Sequence, residues 1–261
     1  MNVASKPLQN APLIEALFEV KWALENPAPN IEIDPHYKFL LGRLFERLQN
    51  RYPEHEPLPT SVIPDHLAAH TIQHRFRTAK GAWPLVQVGP GILTVNETDK
   101  YIWGDFERNA QDVFSKLFEA HPKPEELKVT NLLLRYINAI EFDYGHNNIL
   151  SLLAQELKTS VSFLPALFQG NAVGSNPVKL DCHAAFPSQD PIGVVHIRFA
   201  TGHKNKISAL IWELIFETPQ DDLPALPHGF AAWMTAAHQI LEDWFFKLMT
   251  GELERRFLPY E

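Results

Sequence analysis

The sequence predicts an α+β fold of two tandem units, each running strand, helix, three strands, helix, with an antiparallel sheet and the long helices packed on one of its faces. Three observations lead there. Apolar residues alternate with period two through Leu13–Trp22 and again through 132–143. Two stripes at helical spacing, 103–119 and 229–249, close the two halves. Between each opening strand and its closing helix lie three short extended segments joined by turns. The units divide at 1–124 and 125–261 and are expected to form one body.

In the first strand Ile14, Ala16, Phe18, Val20 and Trp22 share a face, with Glu15, Glu19 and Lys21 on the other. After the turn Asn26-Pro27-Ala28-Pro29-Asn30, Asp34 is placed to cap a helix with Pro35 at its first position, burying Phe39, Leu40, Leu41, Leu44, Phe45 and Leu48. A proline-rich connection, 53–64, leads to strands at 74–78, 84–88 and 92–96. Gly89-Pro90-Gly91 joins the last two, because a tight reversal needs glycine's dihedral freedom. The closing helix buries Phe106, Ala110, Val113, Phe114, Leu117 and Phe118, and His121-Pro122-Lys123-Pro124 ends it.

The second unit opens on Leu132, Leu134, Tyr136, Ile140 and Phe142, alternating against Arg135 and Glu141. Asn147 is placed to cap a helix reaching Leu157, and 159–177 reads as loop. Three strands follow, carrying Val178-Leu180-Cys182-Ala184-Phe186, Val195-Ile197-Phe199 and Leu210-Trp212-Leu214-Phe216. The last helix presents Phe230, Trp233, Ala237, Ile240, Leu241, Trp244, Phe245 and Leu248, a stripe too aromatic to leave in water.

With 261 residues and 45% apolar composition, the chain can bury one large core or two modest ones. A net charge of -8 works against a phosphate-binding face, which makes nucleic acid an unlikely class of partner. The single cysteine, Cys182, excludes a disulfide framework and fits a reducing compartment. Residues 1–12 lack the basic and apolar pattern of a secretory signal, and no apolar run approaches the roughly 20 residues of a membrane span. A soluble, cytoplasmic protein with no membrane partner is the expectation.

A unit of strand, helix, antiparallel strands and helix resembles the helix-grip folds, and a tandem pair is similar to the duplicated saddle of TATA-binding proteins. That saddle reads DNA through a basic face with apolar wedges, whereas Glu15, Glu19, Glu141, Asp181, Glu213 and Glu217 populate the strands here. Over nearly its full length the chain also resembles an uncharacterised, sporadically distributed family of bacterial proteins. The likeness runs through Pro12-Leu13-Ile14-Glu15-Ala16, Gln87-Val88-Gly89-Pro90-Gly91 with Asn96, Arg135-Tyr136-Ile137-Asn138, and the helix containing Ala237-His238. It implies a bacterial origin and a fold and transfers no catalytic residues; the family's sporadic distribution suggests a defence or toxin-regulation setting.

Candidate chemistry is sparse. His66, His70 and His74 are spaced by four, as zinc ligands on one helical stripe would be, but on a strand they would spread over roughly 26 Å at about 3.3 Å per residue. Arg75-Phe76-Arg77 looks extended, which favours a solvated turn over a metal site. Gly89-Pro90-Gly91 precedes a strand, unlike a phosphate cradle, which precedes a helix. Cys182 and His183 point to opposite faces of one strand, so they form no nucleophile and base pair. His238 and Glu242, one helical turn apart, read as a surface contact. Arg135, His183, His196, Arg198 and Glu213 are the candidate ligand-binding residues, a mixed-charge set in which the two arginines could clamp a carboxylate or phosphate. The competing reading is the ordinary polar face of a sheet. Arg135 and Asn138 have opposite parity, so one of them is expected to face the helices and satisfy buried backbone.

With no catalytic set and no implied cofactor, the sequence points to a non-enzymatic protein that binds a protein or small ligand through its sheet face or edge, and a homo-oligomer is compatible with this. The alternative is a small-molecule-binding domain or enzyme using a cavity between the sheet and the C-terminal helix, lined by His183, His196, Arg198 and Glu213.

Overall fold

Eleven strands and five α-helices follow one another in the computed structural model of the chain, in which residues 11–98 and 101–257 are described. The N-terminal stretch read above for a leader lies largely outside them. Strand β1 (Leu13–Trp22) is followed by a small hairpin of β2 (Glu25–Ala28) and β3 (Ile31–Ile33), then by helix α1 (Tyr37–Leu48). The strands β4 (Glu54–Pro57), β5 (His74–Arg77), β6 (Leu85–Gly89) and β7 (Ile92–Glu97) lead to α2 (Trp103–Ala120). The second half runs β8 (Val129–Glu141), α3 (Ile149–Glu156), β9 (Asp181–Gln189), β10 (Ile192–Lys204), β11 (Ile207–Pro219), α4 (Phe230–Met249) and the short α5 (Glu252–Phe257).

Nine of the strands form one antiparallel sheet in the order β4-β5-β6-β7-β1-β8-β11-β10-β9. The order mirrors about the β1/β8 seam: each opening strand is central, the next sheet strand of its half lies at an edge, and the later ones step inward until the last pairs with the opening strand. The α+β class and the helices on one face are as the periodicity predicts. Because side chains alternate along a strand, the register sorts every residue to a face. Phe18 opposes Leu134 and Val95, Leu134 opposes Phe216, and Phe216 opposes Val195; all five lie on the helix side. There Phe18 meets Phe230 at 4.9 Å and Phe114 at 6.0 Å between ring centroids, so aromatics from β1, α2 and α4 interlock at the middle of a single core.

Several local expectations need correction. The proline-rich connection contains β4, a four-residue edge strand that carries no apolar alternation and pairs Glu56 with Arg75. Phe39 is not on the buried stripe of α1; it is 71% exposed. Asp34 does not cap α1, whose first residue is Tyr37. Instead Oδ2 accepts hydrogen bonds from Trp22 Nε1 (2.9 Å) and the Gly91 amide (3.1 Å), and Oδ1 accepts from the His36 amide (3.0 Å). Asn148, one residue beyond the expected cap, receives the amides of Leu150 and Ser151 at the start of α3. Val178 precedes β9 and is 91% exposed, outside the core series assigned to it. The glycine turn is as expected: Gly91 has φ of +75°, and a Cβ there would press to 2.8–2.9 Å on Leu24 and the His70 ring.

Among the described residues no helix is long and apolar enough to cross a membrane.

Candidate functional site

The face of the sheet turned away from the helices is the candidate site. Its centre is read directly from the register of β1, β8 and β11. One row across these strands is Glu19, Leu133, Glu217; the next is Leu17, Arg135, Ile215; the third is Glu15, Ile137, Glu213. Glutamates, aliphatics and one arginine thus form a checkerboard. Leu17, Leu133, Ile137 and Ile215 are half-buried and belong to no part of the helix-side core.

The five predicted residues all lie on this face, and the structure joins them into two groups. Glu213, only 6% exposed, receives Arg135 Nη2 at 2.6 Å and Arg198 Nη1 at 3.3 Å. Arg198 also donates two parallel bonds to Asp181, from Nε at 2.8 Å and Nη2 at 2.6 Å. That fork on a carboxylate is the strong arginine geometry. It holds the Asp181 carboxyl below its usual range and pushes the Arg198 guanidinium up. In the second group His183 and His196 stack, with Nε2 and Nδ1 3.1 Å apart. The outer nitrogen of His196 lies 3.3 Å from Glu217 but off the line of a hydrogen bond.

Both arginines are therefore already engaged by the protein's own carboxylates, and a ligand anion would have to displace them. The alternative cavity also needs correction: His183, His196, Arg198 and Glu213 point away from α4 and cannot line a space between it and the sheet. A separate cleft of about 430 Å³ opens at one end of the sheet among Leu13, Ile14, Thr98, His203, Lys204 and Asn205, apart from all five residues.

On the other half of the same face a chain of hydrogen-bonded amide and hydroxyl side chains runs between Arg75 and Glu15. Arg75 donates to Gln87, Gln87 and Thr94 to Asn96, and Asn96 to Glu15 Oε1 at 2.6 Å. Arg77 is held by Glu56 at 2.8 Å. These partners lie on β4 to β7 and β1, so each cross-strand neighbour supplies the next link.

Among the described residues no three His, Cys, Asp or Glu side chains converge as a metal site would require. His66 is exposed in a turn, His70 has φ of +51° and lies 3.3 Å from the Trp22 carbonyl, and His74 shares a hydrogen bond with His55.

One polar cluster differs from the surface contact expected of His238 and Glu242. His238 is not at the surface: it is 8% exposed, stacks on Trp103 at 3.7 Å, and its Nδ1 pairs with the Tyr136 hydroxyl at 2.8 Å. Tyr101 donates to Tyr136 at 2.9 Å, and Glu242 lies 3.9 Å from His238 Nε2. Burial pushes His238 down to about 4 and both tyrosines well above their usual range. The signal was present: His238 follows Met234 by four residues and precedes Leu241 by three, on the buried side of the helix.

Asn138 faces the helices as parity allowed, yet it satisfies nothing. It is fully buried, neither end of its amide has a partner, and the unpaired indole nitrogen of Trp212 belongs to its cross-strand neighbour. Asn138→Val is therefore expected to raise stability by about 1–2 kcal/mol, because the desolvation cost disappears and a β-branched residue suits a buried strand. Urea unfolding would measure it, and a loss of stability would show that the amide is satisfied in solution.

With this geometry in hand, the comparisons add no identity: no family model matches the chain, and no curated protein or solved structure matches it.

Proposed function

We propose that the chain is a non-enzymatic binding protein that receives a protein partner on the open face of its sheet. The supporting observation is the checkerboard: four half-buried aliphatic side chains at the centre of a wide antiparallel platform, left uncovered by every described helix. Apolar residues ringed by polar ones, with an arginine at the middle, are the usual makeup of a protein interface centre. A small molecule would call for a concave pocket there. The mirrored strand order supports the saddle resemblance, while the acidic rows oppose nucleic acid as the occupant. The defence or toxin-regulation setting implied by the family resemblance belongs to the same reading.

A second reading, a small polar ligand between the sheet and α4, draws on different residues from those first expected: Asn138, Trp212, Tyr136 and His238.

Affinity capture with mass spectrometry of proteins and metabolites separates the two. A partner captured by the native chain should be lost with Ile137→Glu on the open face and kept with Phe39→Glu on α1. A stoichiometric metabolite without a protein, or a partner indifferent to Ile137→Glu, would overturn the proposal.

A further inference from the structure

Among the described residues, every arginine on the open face, and Lys21 with them, already has an acid; Lys204 stands apart at the far end of β10. Arg75 and Arg77 lie 4.0 and 2.8 Å from Glu56, Lys21 lies 3.0 Å from Glu19, Arg135 is held by Glu213, and Arg198 by Asp181 and Glu213. The acids are in excess. Among the described residues no Lys or Arg pairs with Glu15 or Glu217, and these two flank the checkerboard from opposite strands. Glu15 takes only the Asn96 amide, and Glu217 has only His196 nearby.

We infer that the occupant of this face is a cationic amphipathic protein segment, its apolar side laid on Leu17, Leu133, Ile137 and Ile215 and its Lys or Arg side chains answering Glu15 and Glu217. This rests on the proposed function and names the chemistry of the partner. Complementary charge steers association and rejects partners of the same sign. The spacing suits a helix. Glu15 and Glu217 are two strands and four residues apart, a diagonal of roughly 17 Å at about 4.8 Å per strand and 3.4 Å per residue. Two basic residues three helical turns apart span about 16.2 Å, and long side chains cover the remainder. An acidic segment would meet unanswered carboxylates, and a purely apolar one would leave them buried without partners.

The test uses the full chain and two synthetic helical probes of about 18 residues, one of Lys and Leu and one of Glu and Leu, with identical apolar stripes. The Lys/Leu peptide should bind, and the Glu/Leu peptide should not. Binding should weaken as salt rises from about 50 to about 300 mM, since the carboxylates are partly exposed. The double variant Glu15→Gln, Glu217→Gln should weaken it about tenfold, while Glu46→Gln with Glu125→Gln, two exposed acids elsewhere, should leave it unchanged. Equal binding of both peptides, absence of binding, or indifference to the first pair of substitutions would overturn the inference. Its failure is distinguishable from that of the proposed function. A native partner lost with Ile137→Glu but not displaced by the Lys/Leu peptide would defeat the cationic segment and leave the face as a binding site; no partner dependent on Ile137 would defeat both.

Discussion

Acidification from pH 7 to pH 4 is expected to cost the fold about 3 kcal/mol through His238 alone. The ring is packed against Trp103 and Tyr136, and burial lowers its pKa from 6.5 to about 4. Above pH 6.5 the imidazole is neutral in both states and contributes no pH dependence. Between 6.5 and 4 the unfolded chain takes up a proton that the folded chain refuses, so stability falls as pH falls. Below 4 both states are protonated and the loss levels off. Each pH unit of that window is worth about 1.4 kcal/mol. Glu242 works in the opposite sense, since burial raises its carboxyl pKa and the folded state binds its proton first. His74 and His121, also pushed down by burial, add to the wild-type slope. The contribution of His238 is therefore read as a difference: urea unfolding across pH 4 to 7 should give a shallower slope for His238→Gln than for the native chain. Tyr136→Phe, which removes the hydroxyl but keeps the ring cover, should retain the native slope. Parallel curves for His238→Gln and wild type would defeat the prediction.

The contrast between His238 and the open-face residues shows what could be seen in advance. On a strand, parity alone assigns a face, so Arg135, His183, His196, Arg198 and Glu213 could be placed together before any register was known. On a helix the buried arc is wide, and a polar residue within it is distinguished from a surface one only by what packs opposite. Trp103, which packs opposite, is the first residue of α2, and nothing in the sequence around 238 refers to it. β4 escaped notice because Glu54–Pro57 has no apolar alternation; pairing with β5 makes it a strand. The ion pairs show the remaining gap. Residue types and faces were legible, but which carboxylate each arginine grips depends on the register of β8 with β11 and of β10 with β9 and β11, which residue types alone do not fix. An expectation of free arginine clamps thus became a neutralised ladder with acids left over.

Asp34 is a second case in which local chemistry suggested one role and register assigned another, and its replacement should be as costly as the pH change. Asp34→Ala is expected to destabilise the fold by about 3 kcal/mol, because three N–H groups lose their acceptor together. Trp22, whose indole is one of them, is 2% exposed at the end of β1. The Gly91 amide is the tip of the β6–β7 turn, and its carbonyl receives the Trp22 amide at 3.0 Å, so the carboxylate closes a clamp between β1 and that turn. The third bond, from His36, fixes the approach to α1. A helix cap would predict a smaller loss, about 1 kcal/mol, confined to the start of α1. The two roles also differ in what Asn can rescue. At a cap Asn serves nearly as well as Asp, but here both carboxylate oxygens accept, and an amide would turn its NH₂ toward one of the donors. Asp34→Asn should consequently lose a substantial part of what Asp34→Ala loses. Urea unfolding gives the stabilities, and hydrogen exchange at Gly91 and His36 locates the damage. Faster exchange at His36 alone, with Asn fully restoring stability, would return Asp34 to the role of a helix cap; faster exchange at Gly91 as well establishes the clamp.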